Sequence, residues 1–232
     1  MDPMNNLAFG AALFVGTHFL LSHPLRAPLA GRIGERGFQI VYSVVALATF
    51  VLMVRAYQAM PAELPLWVVG DALWALASLI VLLASILFLG SLIGNPALAA
   101  PGAEKAAAAP ARGVFAITRH PMMWGFALWA VAHMMVVPTP GQITLCLALI
   151  LLALGGSLGQ DSKKAKLMGA AWQDWQSRTA FVPFSGQFSG RLRWADAMPR
   201  PHALFGGIVV WLVATWAHGA LGYMAAGVWR WL

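Results

Sequence analysis

The 232-residue chain is 60% hydrophobic and only 10% charged, with a formal net charge of +7, six histidines and one cysteine. Soluble domains carry about 25% charged residues, so the surplus apolar surface here must face lipid. The lone Cys146 excludes an intrachain disulfide and a cysteine-based metal site, and the basic residues lack the aromatic interleaving of a nucleic-acid patch, which leaves the lipid bilayer as the partner and no nucleic acid.

Six apolar windows run from Leu7 to His23, Phe38 to Met60, Leu66 to Gly94, Met122 to Pro138, Gln142 to Gly159 and Ala203 to Trp229. Each is close to or above the roughly 20 residues that cross a hydrocarbon core as a helix, the first and fourth being the shortest. The runs are continuous rather than alternating, and only helices or closed barrels satisfy the backbone in lipid. The expected fold is therefore all-α: a polytopic membrane bundle of six transmembrane helices forming a single domain over residues 1–232. The first window reads as a helix rather than a cleaved signal, because Met1-Asp2-Pro3 is not basic and no small-residue cleavage site precedes Pro24.

Thirteen of the fifteen Lys and Arg residues fall after windows one, three and five, leaving Arg55 and Arg230 near the opposite side. The positive-inside bias makes the richer side cytoplasmic and both termini external. The net charge thus reflects topology and contact with anionic headgroups.

In window one, His18 lies well inside the apolar zone, while His23, beside Pro24, lies at the cytoplasmic margin. Gly90-Ser91-Leu92-Ile93-Gly94 at the end of window three is a GxxxG, which permits close helix approach within the bundle or between copies, so a homo-oligomer is compatible with it. An Ala-rich linker, Ala97–Gly113, leads to Thr118-Arg119-His120-Pro121. Proline there sets a helix start, and Arg119 and His120 sit where a phosphate or carboxylate can bind, or where a solvated boundary pair would look the same. Met122, Phe126, Trp129 and His133 follow at spacings of a single helical face. An ionisable group inside a membrane helix is costly and is a functional-site candidate by default. His133 therefore reads either as a metal ligand with aromatic walls or as a histidine bonded to a neighbouring helix. His120 and His133 are roughly 20 Å apart along a continuous helix and on nearly opposite faces, so they cannot share one metal.

Pro138-Thr139-Pro140-Gly141 predicts a tight external turn. Cys146 reads as a packed thiol. In the extramembrane stretch Gln160–His202, the stripe Leu167, Met168, Ala171, Trp172 and Trp175 predicts a cytoplasmic amphipathic helix with its tryptophans inward. In the last window His202 is at the cytoplasmic boundary and His218 toward the external end. At 1.5 Å per residue, His18 lies about 12 Å from the cytoplasmic face and His133 about 20 Å from it, so depth matches His133 better to His218.

Gly16-Thr17-His18…Arg26, Gly34-Glu35-Arg36…Tyr42-Ser43, Ile117-Thr118-Arg119-His120-Pro121-Met122…Gly125…Trp129…Ala132-His133 and Asp161…Arg178-Thr179…Val182-Pro183-Phe184 together resemble the NnrU family, which includes the 15-cis-zeta-carotene isomerases. The resemblance runs from about Leu7 to His218. It implies an integral membrane protein with haem b, held in the isomerase members by histidines that fall on His18 and His133. These two then carry both the metal and the catalysis; depth offers His218 as the substitute ligand, the helical stripe makes Trp129 and Phe126 the walls, and Arg119 and His120 stay at the cytoplasmic rim, where an anionic group such as a phosphate or haem propionate can bind. The implied reaction is redox-dependent cis–trans isomerisation of an apolar, carotenoid-like polyene. The family's other implied role is a haem-bearing accessory or sensor protein of denitrification. Phe19-Leu20-Leu21-Ser22-His23-Pro24-Leu25-Arg26 resembles its bacterial branch more than the isomerases' His-Ser-Gly pattern, pointing to a bacterial inner membrane. A weaker resemblance is to membrane methyltransferases, which place an acidic pair and tyrosines where this chain has Asp161, Trp172 and Trp175.

Overall fold

The computed structural model describes residues 2–98 and 102–232. Helix α1, Pro3–Ser22, starts under local control: the Asp2 side chain accepts from the Asn5 amide, and Pro3 occupies the first turn, where its missing N–H is no loss. Helix α2, Arg26–Gln58, is interrupted at Gly34, whose φ of 75° is open to glycine at little cost. The break sets the short Arg26–Ile33 segment apart from the long remainder of the helix, and an Arg26–Glu35 ion pair of 3.0 Å spans it.

Helix α3, Asp71–Gly90, begins later than its apolar window. Pro65 disfavours helix before it, and the stretch through Leu64 and Val68 is exposed loop. Two short helices, α4 (Ala103–Ala108) and α5 (Val114–Ile117), precede α6, Pro121–Val136. Thr139 then caps α7, Pro140–Ile150, by accepting from the Gln142 amide. The expected turn at Pro138–Gly141 is thus present. Helix α7 continues through a π-helical turn at Leu151–Gly155 into α8, Gly156–Met168. After α9 (Ala170–Ser177) and α10 (Ser185–Phe188), α11 spans Pro201–Ala220.

Among the described residues five helices are long and apolar enough to cross a membrane: α1, α2, α3, the continuous α7–α8 rod and α11. The fourth expected span, α6, has 16 residues and rises about 24 Å, short of a core about 30 Å thick. The sixth window also ends early. Helix α11 stops at Ala220, and the chain turns back at Gly222 so that Trp229 donates its indole N–H to the Leu212 carbonyl at 3.1 Å.

In packing order the helices run α2, α1, α7, α6, α3, α11. Lipid gives no hydrophobic drive for helices to associate, so close contact depends on small residues. A Cβ on Gly125 of α6 would lie 2.9 Å from the Ala84 carbonyl oxygen of α3, and one on Gly207 of α11 would lie 2.7 Å from the Ile86 Cα. The GxxxG divides differently from its sequence reading. Gly90 meets Val114 and Ala203 within the chain, whereas Gly94 lies beyond the helix with φ 69°.

The amphipathic stripe is also split. Gly169 (φ 54°, ψ −127°) ends α8, so Leu167 faces out at 68% exposure while Trp172 and Trp175 turn inward onto Ala97 and Ala107. One continuous interfacial helix is replaced by two. Cys146 is fully buried, as a packed thiol should be.

Candidate functional site

Helices α3, α6 and α11 part around a cleft of about 830 Å³, completed by Tyr57 from α2, Gln142 from α7 and Tyr223 beyond α11. The volume lies within the roughly 300–1,000 Å³ of small-molecule sites. Phe126 and Trp129 line it from α6 and are themselves 45% and 38% exposed, so the cleft opens sideways toward lipid. Toward the ends of α6 and α11 lie His133 and His218, their ring centres 6.2 Å apart and their planes 35° from parallel. Trp129 stacks beside His133 at 3.9 Å, and Tyr223 stands 6.4 Å from His218.

The helices set the tautomer of both rings. Nδ1 of His133 lies 2.8 Å from the Trp129 carbonyl oxygen, and Nδ1 of His218 lies 2.8 Å from that of Ala214. A carbonyl only accepts, so each Nδ1 donates, and in a neutral ring the Nε2 lone pair is left for a ligand. Such a bond to the far nitrogen is how metal-binding histidines are usually oriented.

His18 has the same local bond, Nδ1 to the Phe14 carbonyl at 2.6 Å. Its ring, however, packs against Phe14 at 4.4 Å and Tyr42 at 5.6 Å, between α1 and α2, and it is not part of the cleft. Of the three intramembrane histidines, the structure brings His133 and His218 together and leaves His18 on the α1–α2 pair. His23 lies beyond α1, stacked on Phe19 at 6.2 Å.

Polar groups gather at the Tyr57 end of the cleft. The Tyr57 hydroxyl donates to Gln142 Oε1, and Gln142 Nε2 donates to Cys146 Sγ at 3.2 Å. Glu63 accepts from the Gly141 amide at 2.8 Å and so ties the α2–α3 loop to the start of α7.

Arg119 and His120 form a second cluster at the opposite end of the bundle. Sequence reasoning places them at a rim open to an anion or to solvent; instead His120 is buried, 2% exposed. Its Nε2 donates to Asp161 Oδ1 at 2.8 Å, while Arg119 Nε and Nη2 donate to Oδ2 at 2.9 and 2.6 Å. The anion these residues meet is the chain's own carboxylate. Thr118 donates to the Phe181 carbonyl at 2.6 Å, and the Phe181 ring lies beneath Arg119 at 5.2 Å, closing the cluster. Asp161 enters the sequence reading only through the family resemblances, since nothing local ties an acid on α8 to the start of α6. Among the described residues no group of three or more His, Cys, Asp or Glu side chains converges as a metal site.

The chain matches the NnrU protein family over residues 6–226, and it belongs to that family. A 79-residue stretch is 34% identical to the chloroplastic 15-cis-zeta-carotene isomerase of Arabidopsis thaliana and 30% identical to that of Zea mays. In each case it covers 34% of this chain and only 22% of the relative's length. No solved structure matches.

Proposed function

We propose that this NnrU-family membrane protein holds haem b between His133 and His218 and uses the α3–α6–α11 cleft for cis–trans isomerisation of a long apolar polyene. The observation that carries this reading is the histidine pair. Neutral imidazole nitrogens from two adjacent helices are the donors that would hold such a group. The ring centres here are 6.2 Å apart, with both Nε2 atoms left free by the bonds at Nδ1. The residues therefore fit the group. When bound, it supplies an iron centre whose ligation can change with redox state.

The chain's own part is to bind, orient and exclude water. The opening at Phe126 and Trp129 admits a lipid-dissolved substrate directly from the bilayer, so a long hydrocarbon need never cross water. The aromatic walls give a polyene flat surfaces to pack on, which favours a planar, extended product. Isomerisation about a double bond gains and loses no atom, and the cleft accordingly needs no proton-transfer residue at its apolar end. The stretch shared with the plant isomerases supports this substrate class. Its limit to 34% of the chain favours keeping a second role, a haem-bearing accessory protein of nitrogen-oxide respiration, served by the same pair without the polyene.

Expression under haem-sufficient conditions, purification in mild detergent and absorbance spectroscopy test the cofactor. A Soret band is expected, and its absence would end the haem reading. Incubating the reduced and oxidised protein with 15-cis-zeta-carotene separates the two roles. Conversion by the reduced form supports the isomerase, and a haem protein that leaves the carotene unchanged in both states is the accessory.

A further inference from the structure

Three segments from distant parts of the chain meet at Gly90, at the basic end of α3. A Cβ there would lie 2.5 Å from Val114 Cγ1 and 3.0 Å from the Ala203 Cβ, so the contact tolerates only glycine. Beside it the Gly113 amide donates to the Asp196 carbonyl at 2.7 Å, locking the loop before α5 onto the loop before α11. The result is a notch of about 10 Å³ lined by Arg112 from the loop before α5 and by Arg200 and His202 from the start of α11. Among the described residues neither arginine is within ion-pair distance of a carboxylate, and the nearby Asp196 side chain is directed to Arg193. Two arginines that line one notch without a carboxylate partner leave their planar N–H forks available, and such forks match phosphate oxygens.

We propose that this notch binds the phosphate group of an anionic membrane lipid through Arg112, Arg200 and His202. Its size admits one phosphoryl oxygen and leaves the rest of the headgroup outside. The source is fixed by what adjoins it. Ile93, in the notch wall, is 57% exposed, and Phe205, on the His202 face of α11 one turn further in, is 65% exposed. These give acyl chains an apolar track leading from the basic notch into the bilayer. The site is remote from the histidine cleft and stands or falls independently of the function proposed above.

The test uses the full-length protein in zwitterionic detergent micelles, titrated with phosphatidylglycerol or phosphatidylcholine and followed by thermal unfolding. Phosphatidylglycerol should raise Tm of the wild type, and the Arg112→Gln/Arg200→Gln double variant should bind it roughly tenfold more weakly. Both side chains are exposed, so the variant retains the fold. The Arg32→Gln/Arg36→Gln variant removes the same charge elsewhere on this end of the bundle and should keep the wild-type response. Inorganic phosphate reproducing the effect, with the same dependence on Arg112 and Arg200, retains the phosphate site but moves its source to solution. Equal loss in both double variants, or loss in neither, overturns the proposal.

Discussion

His120 and Asp161, 41 residues apart in the chain, are joined by a 2.8 Å hydrogen bond in which the buried imidazole Nε2 donates to the carboxylate. Arg119 fills the other oxygen of the same carboxylate, so three side chains staple the start of α6 to α8. Removing one partner of a buried ionic cluster strands the others without solvation. Asp161→Ala should therefore lose about 3–5 kcal/mol of stability, read as a large fall in Tm in detergent. Asp174→Ala, which breaks only the Arg178 pair on an aspartate 60% exposed, should change stability by less than about 1 kcal/mol. Equal effects from the two would contradict the buried staple.

The histidine assignments separate in a single set of spectra. His133→Ala and His218→Ala should each change or abolish the haem absorbance, and His18→Ala should leave it intact. A spectrum that depends on His18 and ignores His218 would return the ligand pair to His18 and His133.

Close helix contact at Gly207 has a directional consequence. Gly207→Ala puts a methyl group 2.7 Å from backbone of α3, which cannot rotate away, and should destabilise by about 1–3 kcal/mol. Gly16→Ala, with nothing within 4 Å of the new Cβ, should be neutral or slightly stabilising, since alanine suits a helix better than glycine. Thermal unfolding of the two variants side by side checks the ranking. A destabilised Gly16→Ala with an unaffected Gly207→Ala would show that α3 and α11 are not in contact there.

Orientation can be read by labelling. Cys146 is fully buried and gives little background, so single cysteines introduced at Leu64 and Glu104 report on the two ends of the bundle. With the basic end cytoplasmic, a membrane-impermeant maleimide added to intact cells should label Leu64→Cys and spare Glu104→Cys. The reverse pattern would invert the topology.

Sequence patterns captured what depends on local chemistry. The Pro140 turn has its own capping threonine, and the run from Met122 to His133 has its single helical face. Their limits were equally physical. Hydropathy placed the third window's start at Leu66, but Pro65 and Gly70 delay α3 to Asp71. The stripe from Leu167 to Trp175 has helical spacing, yet a positive φ at Gly169 divides it, and periodicity carries no record of φ. The depth of His218 was legible from the rise per residue; its lateral position was not.

By itself the sequence determined that this protein lives in a bilayer as helices, and that its basic residues gather at one end, because burial preference and charge belong to each residue wherever it packs. Only the tertiary structure decided which histidines meet. That depends on α3 lying between α6 and α11, with α6 and α11 drawn onto it where Gly125 and Gly207 let backbones approach. In lipid every helix is apolar on all sides, so hydropathy cannot name a neighbour. Close packing at small residues does, and it makes a pair of His133 and His218 while setting His18 against Tyr42.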